Sequence, residues 1–260
     1  MLKDLCQGME NGEFEIYFQP IIDVKAGCVD KIEALVRWNH PQKGFLNPSS
    51  FIKIAEESRE IIPLGEYVFG EIMESMDLLK GTKYEKIPVS FNVSPIQLEL
   101  KGYADDLIRI IHENQIDSSD LYIEITEAAI LSQATEVQEN LQKLRKAGFR
   151  IAIDDFGIQY SSLSYLERLD YDVLKIDSHF VQNIHKGKTS VMIFMFIKKL
   201  ADEFGKECIV EGVETEEQLE QILKIGFHRI QGFYYAKPMS VRELLQYKLP
   251  EAGWKEARRD

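Results

Sequence analysis

The sequence predicts an α/β fold, a single TIM-like (β/α)₈ barrel with one antiparallel strand near its N-terminus. The length of 260 residues suits such a barrel, for which about 250 residues is typical. Short apolar runs alternate with stretches whose apolar residues recur at helical spacing, which indicates a mostly parallel sheet. About eight such runs, with no Gly-, Ser- or Pro-rich linker between them, favour a closed barrel over an open sheet.

The apolar runs are the predicted strands, and they cover residues 14–22, 32–38, 87–93, 121–125, 149–153, 173–176, 208–210 and 229–230. The predicted helices cover residues 64–79, 103–111, 134–144, 191–204 and 215–225. No helical stretch separates the first two runs, so they predict an antiparallel hairpin. Gly148, Gly205 and Gly226 each follow a helical stretch, where glycine favours a left-handed C-cap. Thr215 and Gln218 have the spacing of a capping box.

Three parts are predicted along the chain. Residues 1–12 form a lead helix that links the barrel to something upstream, residues 13–248 form the barrel, and residues 249–260 form a charged tail. The sequence leaves open whether the chain is an excised domain or stands alone.

The amino-acid composition limits the kinds of partner that the chain is expected to bind. A formal net charge of −12 argues against binding of duplex nucleic acid, which needs a positive field. A phosphate ligand must therefore be neutralised locally, by metal ions or by a few Arg and Lys side chains. No apolar run approaches the ~20 residues that cross a bilayer, and the three cysteines lack the C-x-x-C spacing of a redox or metal site. We expect the chain to be cytoplasmic, and this expectation is compatible with a longer parent protein that is attached to a membrane.

The strongest functional signal is the set of carboxylates at or near the ends of the predicted strands: Glu33, Glu124, Asp154, Asp155 and Glu211. A barrel brings such strand ends into one ring, where its active site lies. Carboxylates that lie so near to one another repel, and a bound divalent cation removes the repulsion. Oxygen ligands favour Mg²⁺, Mn²⁺ or Ca²⁺, and no histidine lies at the right end of a strand to support a zinc site.

This ring suits the hydrolysis of a phosphate ester. The adjacent pair Asp154 and Asp155 has the chemistry to hold two metal ions about 3.5–4 Å apart. Lys175 is a candidate to orient or activate water, and Arg37 is a candidate to clamp a phosphate.

Each residue taken alone has a plainer explanation. A lone Glu is usually a solvated loop residue, Asp154–Asp155 resembles a helix N-cap, and Lys175 suits a structural ion pair. Arg37–Trp38 is compatible with surface stacking, and Gln231–Gly232 with an ordinary turn. Co-occurrence on successive strands favours a functional site, but the pattern alone does not decide the reaction.

Longer motifs add a family resemblance. They are YFQP (17–20), EALVRWNHP (33–41), NVSPIQL (92–98), EITE (124–127), DDFG (154–157), YSSL (160–163), LKID (174–177), EGVET (211–215) and QGFYYAKPM (231–239). Together, over roughly residues 5–245, they resemble the EAL-domain family of bacterial cyclic di-GMP phosphodiesterases. The resemblance implies metal-dependent hydrolysis of cyclic di-GMP to linear pGpG, with one or two Mg²⁺ or Mn²⁺ ions, which lowers the cellular level of this second messenger.

The resemblance also assigns roles by position. Glu33, Asn92, Glu124 and Asp154 resemble the ligands of one metal ion, and Asp154, Asp155 and Glu211 resemble the surroundings of a second. Lys175 resembles a water-positioning lysine and, with Glu211, a catalytic residue. The substrate-contacting or supporting positions are Gln19, Arg37, Asp177, Glu214 and Gln231. Glu127 resembles the glutamate that steadies the loop after DDFG.

The resemblance further implies a homodimer formed near that loop, and a sensor or GGDEF domain upstream in a full-length protein. One departure concerns the same loop, since Ile158 and Gln159 replace the family's Thr or Ser and Gly. An active phosphodiesterase is therefore the first hypothesis. The second is a catalytically weak receptor for cyclic di-GMP, and the third is a protein-interaction module.

Overall fold

The computed structural model describes residues 2–157, 170–184 and 188–250, and within them eight strands close into a barrel. The ring order is β1 (Phe14–Asp23), β2 (Cys28–His40), β4 (Val89–Asn92), β5 (Leu121–Thr126), β6 (Arg150–Phe156), β7 (Val173–Ile176), β8 (Glu207–Val210) and β9 (Arg229–Ile230). All neighbours are parallel except β1, which runs antiparallel to β2 and β9. The predicted barrel with one antiparallel strand is confirmed.

Two short strands extend the ring. β3 (Gly44–Leu46) pairs with the end of β2, and β10 (Met239–Ser240) pairs with β1. β2 is longer than predicted because it pairs with β1 at ten positions. Glu33 therefore lies in the middle of a 13-residue strand rather than at a strand end.

Eleven α-helices lie in the described residues. They are α1 (Leu2–Glu10), α2 (Ile52–Glu57), α3 (Ile61–Leu79), α4 (Pro95–Leu98), α5 (Tyr103–Glu113), α6 (Glu127–Ile130), α7 (Thr135–Lys146), α8 (Ser178–Gln182), α9 (Lys188–Glu203), α10 (Glu216–Ile225) and α11 (Val241–Gln246). Thr215 caps α10 in the predicted capping box, and Gly226 ends it with φ of 103°. Within these ranges no helix is both long enough and apolar enough to cross a bilayer.

The main core lies between the ring and its helices. A second cluster involves the predicted lead helix, because Leu5 of α1 is fully buried against Phe14, Trp38 and Phe51. The indole of Trp38 donates a hydrogen bond of 2.9 Å to Glu13 Oε2. The α1 helix is thus packed on the barrel wall.

Two of the plainer explanations are wrong. Asp154 and Asp155 lie within β6, so they are not a helix N-cap. Arg37 is only 7 % exposed and Trp38 is fully buried, so the pair does not stack on the surface. The departure at Ile158 and Gln159 and the YSSL motif at 160–163 lie outside the described residues.

Candidate active site

The candidate site lies next to a buried layer of mostly apolar side chains inside the barrel. Side chains two residues apart on a strand share a face, and a compact cluster is formed by Ile21, Tyr122, Ala152, Val173 and Ile209. Each of these residues lies two positions from a polar residue of the same strand or its immediate end: Gln19, Glu124, Asp154, Lys175 and Glu211. The alternation of the strands therefore places these five polar side chains in the layer next to the cluster.

Lys175 is the centre of that polar layer. Its ammonium Nζ lies 2.5 Å from Glu124 Oε2, 2.7 Å from Glu211 Oε1, 3.3 Å from Glu33 Oε2 and 3.5 Å from Asp154 Oδ1. The Lys175 side chain is 1 % exposed. Four predicted site residues from four different strands or strand ends thus converge on one buried cation.

The proton affinities of these groups follow from burial and charge. Burial acts to lower the pKa of Lys175, but the surrounding carboxylates raise it well above its usual value. Burial and the neighbouring Glu33 raise the pKa of Glu124 well above the usual range. Burial acts in the same direction on Glu33, yet the Lys175 ammonium and a hydrogen bond from Gln231 hold its pKa below the usual value. The pKa of Glu33 is thus lowered and that of Glu124 raised, so Glu33 is the more acidic of these two neighbouring carboxyls.

Two further carboxyls, those of Glu211 and Asp155, have raised pKa values. Burial raises the pKa of Glu211 to about 8, against the opposing charge of Lys175. Partial desolvation of the Asp155 carboxyl, whose residue is exposed overall, and the charges of Asp154 and Asp177 raise its pKa to about 6. Carboxyls that resist ionisation mark an excess of negative charge in the site.

Three amide side chains surround Glu33. Asn92 Nδ2 donates to Glu33 Oε1 at 3.0 Å, and Gln231 Nε2 donates to Glu33 Oε2 at 2.5 Å. Gln231 Nε2 also lies 3.2 Å from Gln19 Oε1, and Gln19 Nε2 donates to the carbonyl of Ala236 at 3.0 Å. The amides fix both oxygens of Glu33 and join β1, β2 and the chain after β9.

Arg37 lies on β2, two residues after Leu35 and four residues after Glu33. Its side chain therefore lies on the same face of the strand as theirs. Its guanidinium donates to the carbonyl of Val36 at 2.9 Å, and its Cζ lies 5.9 Å from the ring centroid of Tyr17. Burial lowers its pKa, although the charge of Glu33 opposes the shift. Within the described part of the chain no carboxylate lies at ion-pair distance from it, so its charge is available to an anion.

The other predicted positions are more peripheral. Asp177 caps α8 by accepting a hydrogen bond of 2.8 Å from the backbone of His179. Asp155 is exposed, with a left-handed φ of 54° beside a register shift between β6 and β7. Glu127 is buried in the first turn of α6, and the loop that it was predicted to steady lies outside the described residues.

A cavity of about 340 Å³ opens over this layer. Its walls include seven predicted site residues: Gln19, Glu33, Asp154, Lys175, Glu211, Glu214 and Gln231. The backbone N–H of Glu214 donates to Gln218 Oε1 at 2.8 Å. Sequence reasoning missed the remaining lining residues, which are Leu35, Ser178, Gln182, Gly212, Gly232 and Phe233. The motifs EALVRW, EGVET and QGFYYAKPM contain four of them and were the available signal.

The donor set fits a hard divalent cation in its chemistry. The carboxylates supply oxygen ligands, which Mg²⁺ and Mn²⁺ prefer. Asp154 Oδ1 is buried without a hydrogen-bond partner, the Lys175 ammonium being 3.5 Å away. In the arrangement described, the four carboxylates surround that ammonium, and no three His, Cys, Asp or Glu of residues 2–157, 170–184 and 188–250 are grouped as ligands of one ion.

Comparisons with known proteins agree with the fold. The chain matches the family model described as EAL domain over residues 2–238. It is 34% identical to the cyclic di-GMP phosphodiesterase RocR of Pseudomonas aeruginosa, over 94% of this chain and 62% of RocR. An uncharacterized protein of Sinorhizobium fredii is 33% identical over 94% of this chain and 29% of that protein.

A solved structure gives the same result. The c-di-GMP complex of the phosphodiesterase PaMucR superposes with a TM-score of 0.88 at 32% identity, covering 94% of this chain and 98% of that one. The chain spans less than two thirds of the length of either curated relative.

Proposed function

This chain belongs to the EAL domain family, and from that premise we propose that it is a metal-dependent phosphodiesterase that hydrolyses cyclic di-GMP to linear pGpG. The observation that carries the proposal is the buried ammonium of Lys175, held by Glu33, Glu124, Asp154 and Glu211 beneath an open cavity. Perturbed carboxyls that converge in a cleft are typical of a catalytic site.

The residues that would hold Mg²⁺ or Mn²⁺ are Glu33, Asn92, Glu124, Asp154, Asp155 and Glu211. Such an ion would polarise the phosphodiester and lower the pKa of a bound water. The ion would act together with the Lys175 ammonium in offsetting the negative charge of these carboxylates. Asn92 and Gln231 keep the two oxygens of Glu33 in place through their hydrogen bonds.

Lys175 acts as a positioning cation rather than a base. Its pKa is raised well above the usual value, so it keeps its proton near neutral pH. Its N–H groups are donors to a water or to a phosphate oxygen. Glu211 lies 2.7 Å from Lys175 Nζ, and its pKa of about 8 keeps it protonated at neutral pH in the metal-free protein. It would accept a proton from that water only where a bound cation lowers its pKa.

Arg37 supplies the charge that captures the phosphate on an otherwise acidic chain. Its guanidinium is pre-organised by Val36 and Tyr17, and a guanidinium suits the two oxygens of a phosphate. Gln19, Asp177, Glu214 and Gln231 are the proposed supporting contacts to the dinucleotide.

Product analysis tests the proposal. Purified protein is incubated with cyclic di-GMP and Mg²⁺, Mn²⁺ or EDTA, and the nucleotides are separated by chromatography. We expect pGpG with either metal, none in EDTA, and none from Glu33→Ala. Glu113→Ala, on the exposed C-terminal turn of α5, is the control and keeps full turnover. Metal-independent turnover, or near-normal rates for Glu33→Ala, would contradict the proposal.

A catalytically weak receptor for cyclic di-GMP is the second candidate, favoured by Ile158 and Gln159 in place of a small hydroxyl residue and glycine. Nucleotide binding without product under every metal condition would support it. We also propose a homodimer, and a sensor or GGDEF domain elsewhere in a longer protein. Light scattering of the purified chain measures the first of these.

A further inference from the structure

Phe233 is a large apolar side chain at a polar cavity. It follows Gln231 and Gly232, lines the same cavity as Lys175 and Glu33, and is 52% exposed. Among the other described residues of this lining, only Leu35 has an apolar side chain. A half-exposed aromatic ring beside polar groups gains only part of the stabilisation of full burial in the free protein, and it offers a flat face to a ligand.

The backbone that carries this ring is fixed. A Cβ on Gly232 would lie 2.1 Å from the carbonyl oxygen of Val213, so only glycine fits this close approach. The N–H of Tyr234 donates to that same carbonyl at 3.0 Å, and the N–H of Ala236 donates to the Gly232 carbonyl at 3.1 Å. Phe233 is therefore presented by a turn that is tied at both ends rather than by a loose loop.

The surroundings of the ring favour a planar partner. The ammonium of Lys237 lies 5.4 Å from the Phe233 ring centroid, over one face, and about half of the side chain stays exposed even so. A cavity of about 340 Å³ lies near the lower end of the ~300–1,000 Å³ typical of ligand pockets. A cyclic dinucleotide with a phosphodiester at Lys175 must therefore extend at least one base towards the rim.

We propose that Phe233 is the platform on which one guanine base of the cyclic dinucleotide stacks. The inference rests on the proposed function and adds a contact to it. The ring touches the base and not the reacting phosphodiester, so it acts on ligand affinity and KM. A base stacked on an aromatic side chain loses roughly 5- to 150-fold in affinity when that side chain is truncated to alanine.

Three variants test the stacking contact. Phe233→Ala removes the ring, Phe233→Leu keeps an apolar side chain without a π face, and Phe233→Tyr keeps the face. Phe196→Ala is the matched control, because Phe196 is 51% exposed on α9 and does not line the cavity. Each protein is titrated with cyclic di-GMP by calorimetry in EDTA, and initial rates are measured with Mn²⁺.

We expect Phe233→Ala and Phe233→Leu to weaken binding or raise KM at least 5-fold, with kcat changed less than KM. Phe233→Tyr and Phe196→Ala should match the wild type within 2-fold. If the wild type binds or hydrolyses cyclic di-GMP and Phe233→Ala shows the same affinity and KM, the stacking contact is overturned but the proposed function is not. Equal affinity and KM of the Phe233→Leu and Phe233→Tyr variants would also overturn the stacking contact alone. A wild-type protein that neither binds nor hydrolyses cyclic di-GMP would overturn the proposed function itself.

Discussion

Lys175 Nζ lies 2.5 Å from Glu124 Oε2, and both side chains are 1% exposed. An ammonium and a carboxyl this deeply buried need each other, because an unpaired buried charge is costly. Three more carboxyls reach the same ammonium, so one positive charge serves four acidic groups. One ammonium does not balance four acidic groups, and the divalent cation proposed above would offset the remainder.

Lys175→Met is expected to destabilise the metal-free protein and to abolish turnover. Removing one partner of a buried pair typically costs about 3–5 kcal/mol. The freed carboxylates then depend on added metal, so Mn²⁺ should raise the Tm of the variant by more than it raises that of the wild type. Thermal unfolding in EDTA and in Mn²⁺ measures both effects.

Lys31→Met is the control for that experiment. Lys31 is also buried, and it contacts Asp30 at 2.6 Å and Glu207 at 2.9 Å, away from the cavity. This variant should also lose stability, but with no additional gain from Mn²⁺ and with turnover per folded molecule retained. An equal gain in Tm for both lysine variants would contradict a metal-binding role for the carboxylates around Lys175.

The raised pKa of Glu211 predicts how the stability of the metal-free protein depends on pH. Below its usual pKa of 4.5 both the folded and the unfolded chain hold the proton, and above about 8 neither does. Between these values the unfolded chain loses the proton first, so the free energy of unfolding falls as pH rises. In EDTA, Glu211→Gln should show a shallower fall between pH 5 and 8.

The comparison of the two proteins reports the titration of Glu211 together with its effect on the carboxyls and the ammonium beside it. Lys175, Asp154 and Glu33 are the charged groups that act on Glu211, and they stay in place in the variant. Denaturant unfolding at several pH values gives the two slopes. Parallel slopes would show that Glu211 does not hold its proton in the folded state.

The sequence predicted the ring and most of the site because strand periodicity and polar strand ends are local signals. β7 has the predicted bounds, and Lys175 lies inward as a consequence of alternation. The length of β2 was not predictable, since it depends on pairing with β1 over ten positions. Helices of four or five residues, such as α4 and α8, are too short to show a period.

Other features of the site depend on tertiary structure. The left-handed φ of Asp155 accompanies a register shift between β6 and β7, and no local pattern marks such a shift. The contacts of Gln231 with Glu33 and Gln19 join residues about 200 positions apart. Phe233 was missed because an aromatic residue after a strand usually packs into the core, whereas here it is exposed.

Gly232→Ala is expected to lower both stability and activity. The new Cβ would lie 2.1 Å from the oxygen and 2.4 Å from the nitrogen of Val213, and a backbone contact cannot be relieved by turning a side chain. Overpacking of this kind costs typically 1–3 kcal/mol. Urea unfolding gives the change in stability, and KM for cyclic di-GMP reports the shifted turn.

Gly70→Ala is expected to have the opposite effect on stability. Gly70 lies inside α3 with open space where a Cβ would be, so alanine should stabilise the protein by about 0.5–1 kcal/mol. Activity should not change, since α3 lies outside the cavity lining. Two glycine variants with the same stability would contradict the close approach at Val213.

Leu5→Ala tests whether α1 is part of the barrel's cooperative fold. Leu5 is fully buried against Phe14, Trp38 and Phe51, and truncation of such a leucine costs about 2–5 kcal/mol. Leu2, on the same helix but 46% exposed, is the matched control, and Leu2→Ala should stay within about 0.5 kcal/mol of the wild type. Trp38 lies in the same cluster, and the sequence has one other tryptophan, Trp254. In a Trp254→Phe background, tryptophan fluorescence during urea unfolding therefore reports the transition of that cluster, and far-UV circular dichroism reports the whole barrel. Coincident transitions that both move for Leu5→Ala would establish that α1 folds with the barrel. A fluorescence transition that moves alone would instead make α1 and its cluster a separately melting unit, and equal stability of the two leucine variants would make α1 a linker that adds nothing to the fold.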